Sequence, residues 1–516
     1  MQGLALTGIA CLVLTGPLFA GSPVTSYQEA RQVLDAGIQA MGGLEALRGI
    51  KDLSREGSGT GYAQGQSLTP DGPLSARATE IQTFQDFSGS RNASLVATSG
   101  AGVLPTKTRT VATDTGFSYN LITKVVTPMA PVALGNSRGN MRRDPAVLLL
   151  LANERAETLR SLGEETINGR RHRLISFSAA DGAQIGLAFD ATTGLLSRVQ
   201  TLADNPILGD TLTETVLSDY REVPVGAARV RLPYRAQTIV GGEITQDLTY
   251  RTIAVNSGPG TGLLDPPAAA ETVPPAPPGA GVVLTKLGED VYFAGGGSHH
   301  SLFVVFQDHV VVVEAPLSEE RSLAVLAKIA ETAPGKPVRY LVPTHYHSDH
   351  TGGLRTYIAK GVTIVTTPGN RAFVERLAKA TKTIRPDALA REPRPPVIET
   401  FTGKRVFDDG TRTLEAQLRQ LGLELLLADG APELGGLEHA GILSRSQLAG
   451  GFTARAAFRS AALPSLPWPG AIVSTTRPCF WSLSAKSTSA GLAGGKGPAT
   501  GIVNRSDTKT AFSFGR

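Results

Sequence analysis

Cysteine is almost missing from this 516-residue chain, with Cys11 and Cys479 alone near its two ends. A disulfide framework and a cysteine-built metal site are thereby excluded. Aromatic residues are scarce as well, and no cluster of Lys and Arg is interleaved with them, so nothing here is patterned as a nucleic-acid surface. A net charge of +5 over this length points the same way. Beyond the first 20 residues no apolar run reaches membrane-spanning length, so no integral span is expected in the mature chain. With 41% apolar and 18% charged residues the composition is globular, and the length calls for at least two cores.

The opening "LALTGIACLVLTGPLFAGSP" is an apolar run that ends in small residues. It reads as a signal peptide over residues 1–20, cleaved after Ala20, although no Lys or Arg precedes the apolar stretch. A periplasmic or secreted protein is therefore expected. Ser26 and Glu29 then form a capping-box pair ahead of a helix that Gly42-Gly43 breaks, with a shorter helix after it.

From about residue 52 to 256 short alternating segments are separated by turn residues, and Asp181-Gly182 and Gly241-Gly242 sit where hairpin turns belong. Residues 21–262 are accordingly read as a helix followed by a curved antiparallel sheet. This order resembles periplasmic lipoprotein-carrier domains, whose open half-barrel holds acyl chains. The proline-rich stretch 263–281 reads as a semi-rigid extended linker.

After the linker, three strand-like runs lie within residues 281–316, an amphipathic helix follows up to Pro334, and "VRYLVPT" reads as a buried strand. A helix and a further strand come next, which makes the unit a sandwich of helices and sheet and the whole chain α+β. Directly behind the buried strand comes "THYHSDHTGG". His345 and His347 stand two apart, so in extended chain they project to one side, and Asp349 and His350 follow on the turn. Imidazole nitrogen and carboxylate oxygen in such density are the donors Zn²⁺ takes. Polar loop residues are the ordinary explanation of a histidine, but not of four such side chains in six positions.

This motif resembles the signature of the metallo-β-lactamase fold superfamily over about residues 282–415. The resemblance implies an αββα sandwich and a hydrolytic centre with one or two ions, Zn²⁺ or alternatively iron. His345 and His347 would hold the first ion, Asp349 and His350 the second. Asp349 would be the catalytic residue, orienting the hydroxide that attacks an ester, thioester or amide-type small-molecule substrate. Glu314 stands where the fold often has an Asp at a strand end and is read as structural. His299 and His300 are read as loop donors at the site mouth, His309 as part of a hairpin turn and His172 as a sheet-surface residue.

The same resemblance calls for a further histidine, a bridging acid and a last histidine downstream. From about Ala416 the chain departs from it, so the sandwich is expected to be incomplete at its C-terminal end. His439 is the only histidine left, and Asp507 is the only acid after it. Three accounts of residues 416–516 stay open: a change of reading frame near residue 416, a divergent metal-poor lobe, or a site completed by His439 and Asp429. Two other functions stay open with them. One is a catalytically impaired remnant whose N-terminal half binds an apolar ligand; the other is an iron-dependent dioxygenase of the same fold.

Overall fold

The structure is a computed structural model that describes residues 22–100, 103–260, 262–267, 270–274, 281–419, 422–426 and 484–487. The signal-peptide reading, both cysteines, Asp429 and His439 lie outside the described residues.

Helix α1 (Pro23–Ala40) starts on Ser22, whose hydroxyl accepts the Thr25 amide at 3.2 Å, with Pro23 preset for the first turn. The expected cap at Ser26 is corrected by four residues: Ser26 lies inside the helix, where its hydroxyl accepts the Ser161 amide. Ala30, Val33, Leu34, Gly37 and Ile38 recur at helical spacing and form its buried face. At Gly37 a Cβ would run into the Phe189 ring, so glycine lets the helix press on the sheet. Gly42 and Gly43 take positive φ and end the helix, and α2 (Leu44–Arg48) follows.

The sheet under these helices has 14 strands and is antiparallel throughout except at one edge. Its central strand β1 (Asp52–Ala63) pairs on one side with β2 (Ser75–Asp86) and on the other with Glu243–Val255. Gly241 and Gly242 both have positive φ in the turn joining Ala228–Val240 to Glu243–Val255, as a tight hairpin requires. The core on this sheet gathers Leu34, Ile38, Leu148, Phe177, Phe189 and Leu232, from α1, the helix Leu148–Glu154 and the sheet. His172 is corrected from a surface residue to a buried one, its Nδ1 at 2.9 Å from the Arg170 carbonyl. The proline-rich linker is less detached than expected. Leu263 packs beside Phe84 and Val111, and Glu271–Thr272 pairs in parallel with Val125–Val126.

The second sheet has seven strands, Val283–Gly288, Val291–Gly295, Ser301–Val305, Val310–Val313, Val338–Val342, Thr363–Thr366 and Ile398–Thr400, in that order. Four strands thus occupy the stretch read as three. The first four pair antiparallel and the last three join in parallel, across the helices Glu319–Thr332, Leu354–Ala359 and Pro368–Lys379. Val310–Val313 is buried on both faces, as a continuous apolar run should be. Val310 and Val312 face the helices, whereas Val311 and Val313 face Phe407 and Leu414 of a third sheet. That third sheet is built on the hairpin of Lys404–Asp408 with Arg412–Arg419, extended by Gly422–Leu426 and Ser484–Ser487. "VRYLVPT" is buried only from Leu341 onward.

Two grips hold the N-terminal sheet to this unit. Ile207 packs against its helical core, and Lys382 reaches Asp204 at 2.5 Å while Asp210 accepts the amide and hydroxyl of Thr383. The other grip is the loop between β1 and β2, which ends on the histidine motif. Among the described residues no helix is long and apolar enough to cross a membrane.

Candidate metal centre

The parallel pairing of Val310–Val313 with Val338–Val342 brings two chain exits side by side. Glu314 leaves the first strand with φ 70°, a conformation disfavoured for a side chain of its size and held here by its bonds. Its buried carboxylate accepts the Thr344 amide at 2.7 Å and His350 Nδ1 at 2.9 Å. His345 and His347 leave the second strand, and His347 precedes the single helical turn Ser348–Thr351. Gly352 and Gly353 let that turn close onto the segment after Glu314, since a Cβ at either would collide with the Leu317 carbonyl or the Ser322 hydroxyl. The glycine pair is therefore part of what aims the histidines.

The side chains share one focus. The His345 ring lies 4.0 Å from that of His350 and 4.5 Å from that of His347, centroid to centroid. His299 enters from the turn before Ser301–Val305, its ring edge-on to His350 at 5.1 Å. That turn is anchored by buried Arg321, which donates to the carbonyls of Ala294 and Gly295. His299 Nε2 is 2.9 Å from Asp349 Oδ2, and Gln66 Nε2 donates to Asp349 Oδ1 at 2.6 Å. Burial works against the Asp349 charge, but the hydrogen bonds from His299 and Gln66 and the nearby imidazoles outweigh it. The carboxyl group is held well below the usual range. His300 is turned away against Phe293, and burial, with Arg321 and His299 beside it, lowers its pKa to about 4.

Two sets of donor atoms each lie within 4.8 Å of one another: Glu314, His345 and His350 in one, His299, Asp349 and His350 in the other. Each set mixes imidazole nitrogen with carboxylate oxygen, and the carboxylate of Glu314 fixes the His350 ring so that its Nε2 carries the lone pair. The residues present therefore fit a divalent cation. Of the four motif residues, His345, Asp349 and His350 fall in these sets. His347 lies beside them with Nε2 at 2.8 Å from the Ser67 carbonyl. His299 and Glu314 join the sets although the sequence marked one as a loop donor and the other as structural. The signals that could have singled them out were the glycine run before His299 and the strand end at Glu314.

Residues 294–417 match the family model of the metallo-beta-lactamase superfamily, so the resemblance read from the histidine motif holds over that segment. Among solved structures the chain is similar to a DUF1329 family protein from Desulfovibrio piger, at 12% identity over 46% of this chain and 97% of that one, with a TM-score of 0.30. It is also similar to a putative outer membrane lipoprotein-sorting protein domain from Vibrio parahaemolyticus, at 12% over 46% and 96%, TM-score 0.28. A metallo-beta-lactamase from Pontibacter korlensis is 24% identical over 26% of this chain, TM-score 0.20, and the match spans 60% of that protein's length.

Proposed function

We propose that the cluster of His299, Glu314, His345, Asp349 and His350, with His347 beside it, holds one or two divalent cations. Zn²⁺ is the first choice and iron the alternative. On this reading the protein hydrolyses a small-molecule ester, thioester or amide. The observation that carries it is the convergence of two mixed imidazole and carboxylate sets on the shared His350. A cation bound there would polarise the scissile carbonyl and lower the pKa of water at the site.

The chain's own groups do the rest. Glu314 fixes the tautomer of His350 through Nδ1. Asp349 stays ionised, and the lone pairs not taken by Gln66 and His299 can accept a hydrogen bond from the attacking water. Strand exits and the paired glycines hold these groups before substrate arrives, which is the preorganisation such chemistry needs. β-Lactams are one substrate class among several, because a fold does not select its substrate. Residues 21–262 and 282–415 are taken as the two working units, with 263–281 joining them. Export rests on the apolar leader alone.

The test is elemental analysis of the purified full chain. It is followed by hydrolysis of a panel of chromogenic esters, thioesters and β-lactams, before and after chelation and with Zn²⁺ restored. Bound metal with chelator-sensitive, zinc-restored hydrolysis is expected. A chain that takes up no metal and gains no hydrolysis from added Zn²⁺ overturns the reading, and oxygen consumption by an iron-loaded sample moves it to the oxygenase alternative.

A further inference from the structure

The loop between β1 and β2 belongs to the N-terminal sheet, yet three successive residues of it end on the histidine motif. The Gly65 carbonyl accepts the Ser348 amide at 3.1 Å. Gln66 Nε2 donates to Asp349 Oδ1 at 2.6 Å and approaches the Ser348 hydroxyl at 3.5 Å. The Ser67 carbonyl accepts both His347 Nε2, at 2.8 Å, and the Tyr346 hydroxyl. Ser67 is 3% exposed and His347 4%, so these bonds are shielded from water. The Ser75 hydroxyl donates to the Gln66 carbonyl at 3.2 Å and braces the loop from β2.

A carbonyl oxygen can only accept, so His347 must carry its proton on Nε2, and the neutral ring then has its lone pair on Nδ1. Rings that bind metals are usually oriented in this way, by an acceptor on the second nitrogen, and bound carboxylates are usually held by a donor on the second oxygen. Here both partners come from a sheet outside the segment that matches the superfamily.

We infer that Gln66 and the Ser67 carbonyl are positioning groups of the metal centre, so that the N-terminal sheet is a structural part of the site and metal affinity depends on the docking of this loop. The inference rests on the reading of the cluster as a metal centre. Gln66 sets the Asp349 carboxylate between itself and His299, and the Ser67 carbonyl sets the tautomer of His347. Neither touches the reacting atoms. An occupant of the N-terminal sheet that shifted the loop would be felt at the centre.

The experiment uses the full chain and Co²⁺ as probe, read by its d–d absorption and by competition for affinity. Gln66→Leu removes the donor at nearly constant volume. Gly65→Val forces a Cβ into Ile207 and Ser348 at a residue with φ 67°, and lifts the loop. Asp71→Ala is the control, because its ion pair with Arg376 is exposed, so it contributes little to holding the loop, and it touches no residue of the histidine motif. Gln66→Leu and Gly65→Val should each weaken Co²⁺ binding by about 10- to 100-fold and alter its spectrum, with far-UV circular dichroism unchanged. Asp71→Ala should match the wild type. Wild-type affinity and spectrum in both loop variants would overturn the inference. If the wild-type chain takes up no Co²⁺, the metal reading itself fails. The positioning contact is then decided by long-range ¹⁵N–¹H spectra of the metal-free imidazoles. A slowly exchanging Nε2 proton on His347 that becomes fast in Gly65→Val supports it, and identical spectra refute it.

Discussion

Glu314 and His350, 36 residues apart in sequence, are joined by a 2.9 Å hydrogen bond between Oε2 and Nδ1 with the carboxylate 2% exposed. The other oxygen of the same carboxylate holds the Thr344 amide, so one acid ties the strand exit to the histidine turn. Glu314→Gln separates the two roles. The amide oxygen can still accept from Thr344, but the amide nitrogen then faces His350 Nδ1 and donates to it. That pushes the ring proton onto Nε2 and removes the lone pair a cation would take. The expected result is a loss of about 10- to 100-fold in Co²⁺ or Zn²⁺ affinity with little change in thermal midpoint. Glu314→Ala should lose both affinity and stability, because the buried Thr344 amide and the partly buried His350 Nδ1 both lose this acceptor. Metal titration beside a thermal melt checks both.

The pair of buried Arg355 and partly buried Asp387 makes a prediction about stability alone. Arg355 grips Asp387 through Nε at 2.5 Å and Nη2 at 3.1 Å, and its Nη1 donates to the carbonyls of Leu377, Ala378 and Ala380. It therefore closes the end of the helix Pro368–Lys379 as well as pairing a charge. Arg355→Ala should cost about 3–5 kcal/mol in urea unfolding, the range for removing one partner of a buried pair. Arg355→Lys should recover only part, since one ammonium cannot copy a fork that serves a carboxylate and three carbonyls at once.

Much of this architecture was legible because its causes are local. Amphipathic spacing up to Pro334 gave the helix Glu319–Thr332, paired glycines gave the Gly241-Gly242 turn, and four donors in six residues gave the motif. What escaped depends on partners far along the chain. His299 and Glu314 reach the cluster only through the strand order of the second sheet, and Gln66 meets Asp349 across 283 residues. His172 read as exposed because its neighbours are arginines, and alternation does put it on the face opposite Ile175 and Phe177, yet it is buried there beside its cross-strand partner Asp190, which is itself buried. Ser22 displaced Ser26 as the cap because Pro23 suits the first turn, so the helix begins one turn earlier.

Acid should loosen the contact between the second and third sheets at Asp409. Burial opposes its charge, but the Thr411 hydroxyl and the amides of Gln307, Thr411 and Arg412 outweigh it and bring the pKa down to about 2. The Gln307 amide belongs to a turn of the neighbouring sheet and donates at 2.6 Å, so the carboxylate joins the two sheets. A carboxyl group with its folded pKa below its unfolded value binds fewer protons when folded. Its contribution is complete above the unfolded value near 4 and is lost as pH falls toward 2. Asp409→Asn should lower the thermal midpoint at neutral pH and flatten its fall between pH 4 and pH 2. A variant that follows the wild-type slope across that window would show that other carboxyl groups carry the acid sensitivity.

The last prediction concerns His439, the one histidine after the motif. Catalytic zinc sites commonly use three protein donors, and His299, His345, Asp349 and His350 already bring four donor side chains to one cluster, all from residues before 351. The sequence after Ala416 also departs from the superfamily pattern at the place where a further ligand should stand. Both facts favour a centre assembled without the tail, so His439→Ala should leave Co²⁺ affinity and spectrum as in the wild type, whereas His345→Ala should abolish both. A loss in His439→Ala as large as that in His345→Ala would instead make His439 a ligand and would count against a change of reading frame near residue 416. The coding sequence offers a separate check: under the frame change, another frame downstream of codon 416 spells a histidine followed by a Gly-Asp pair.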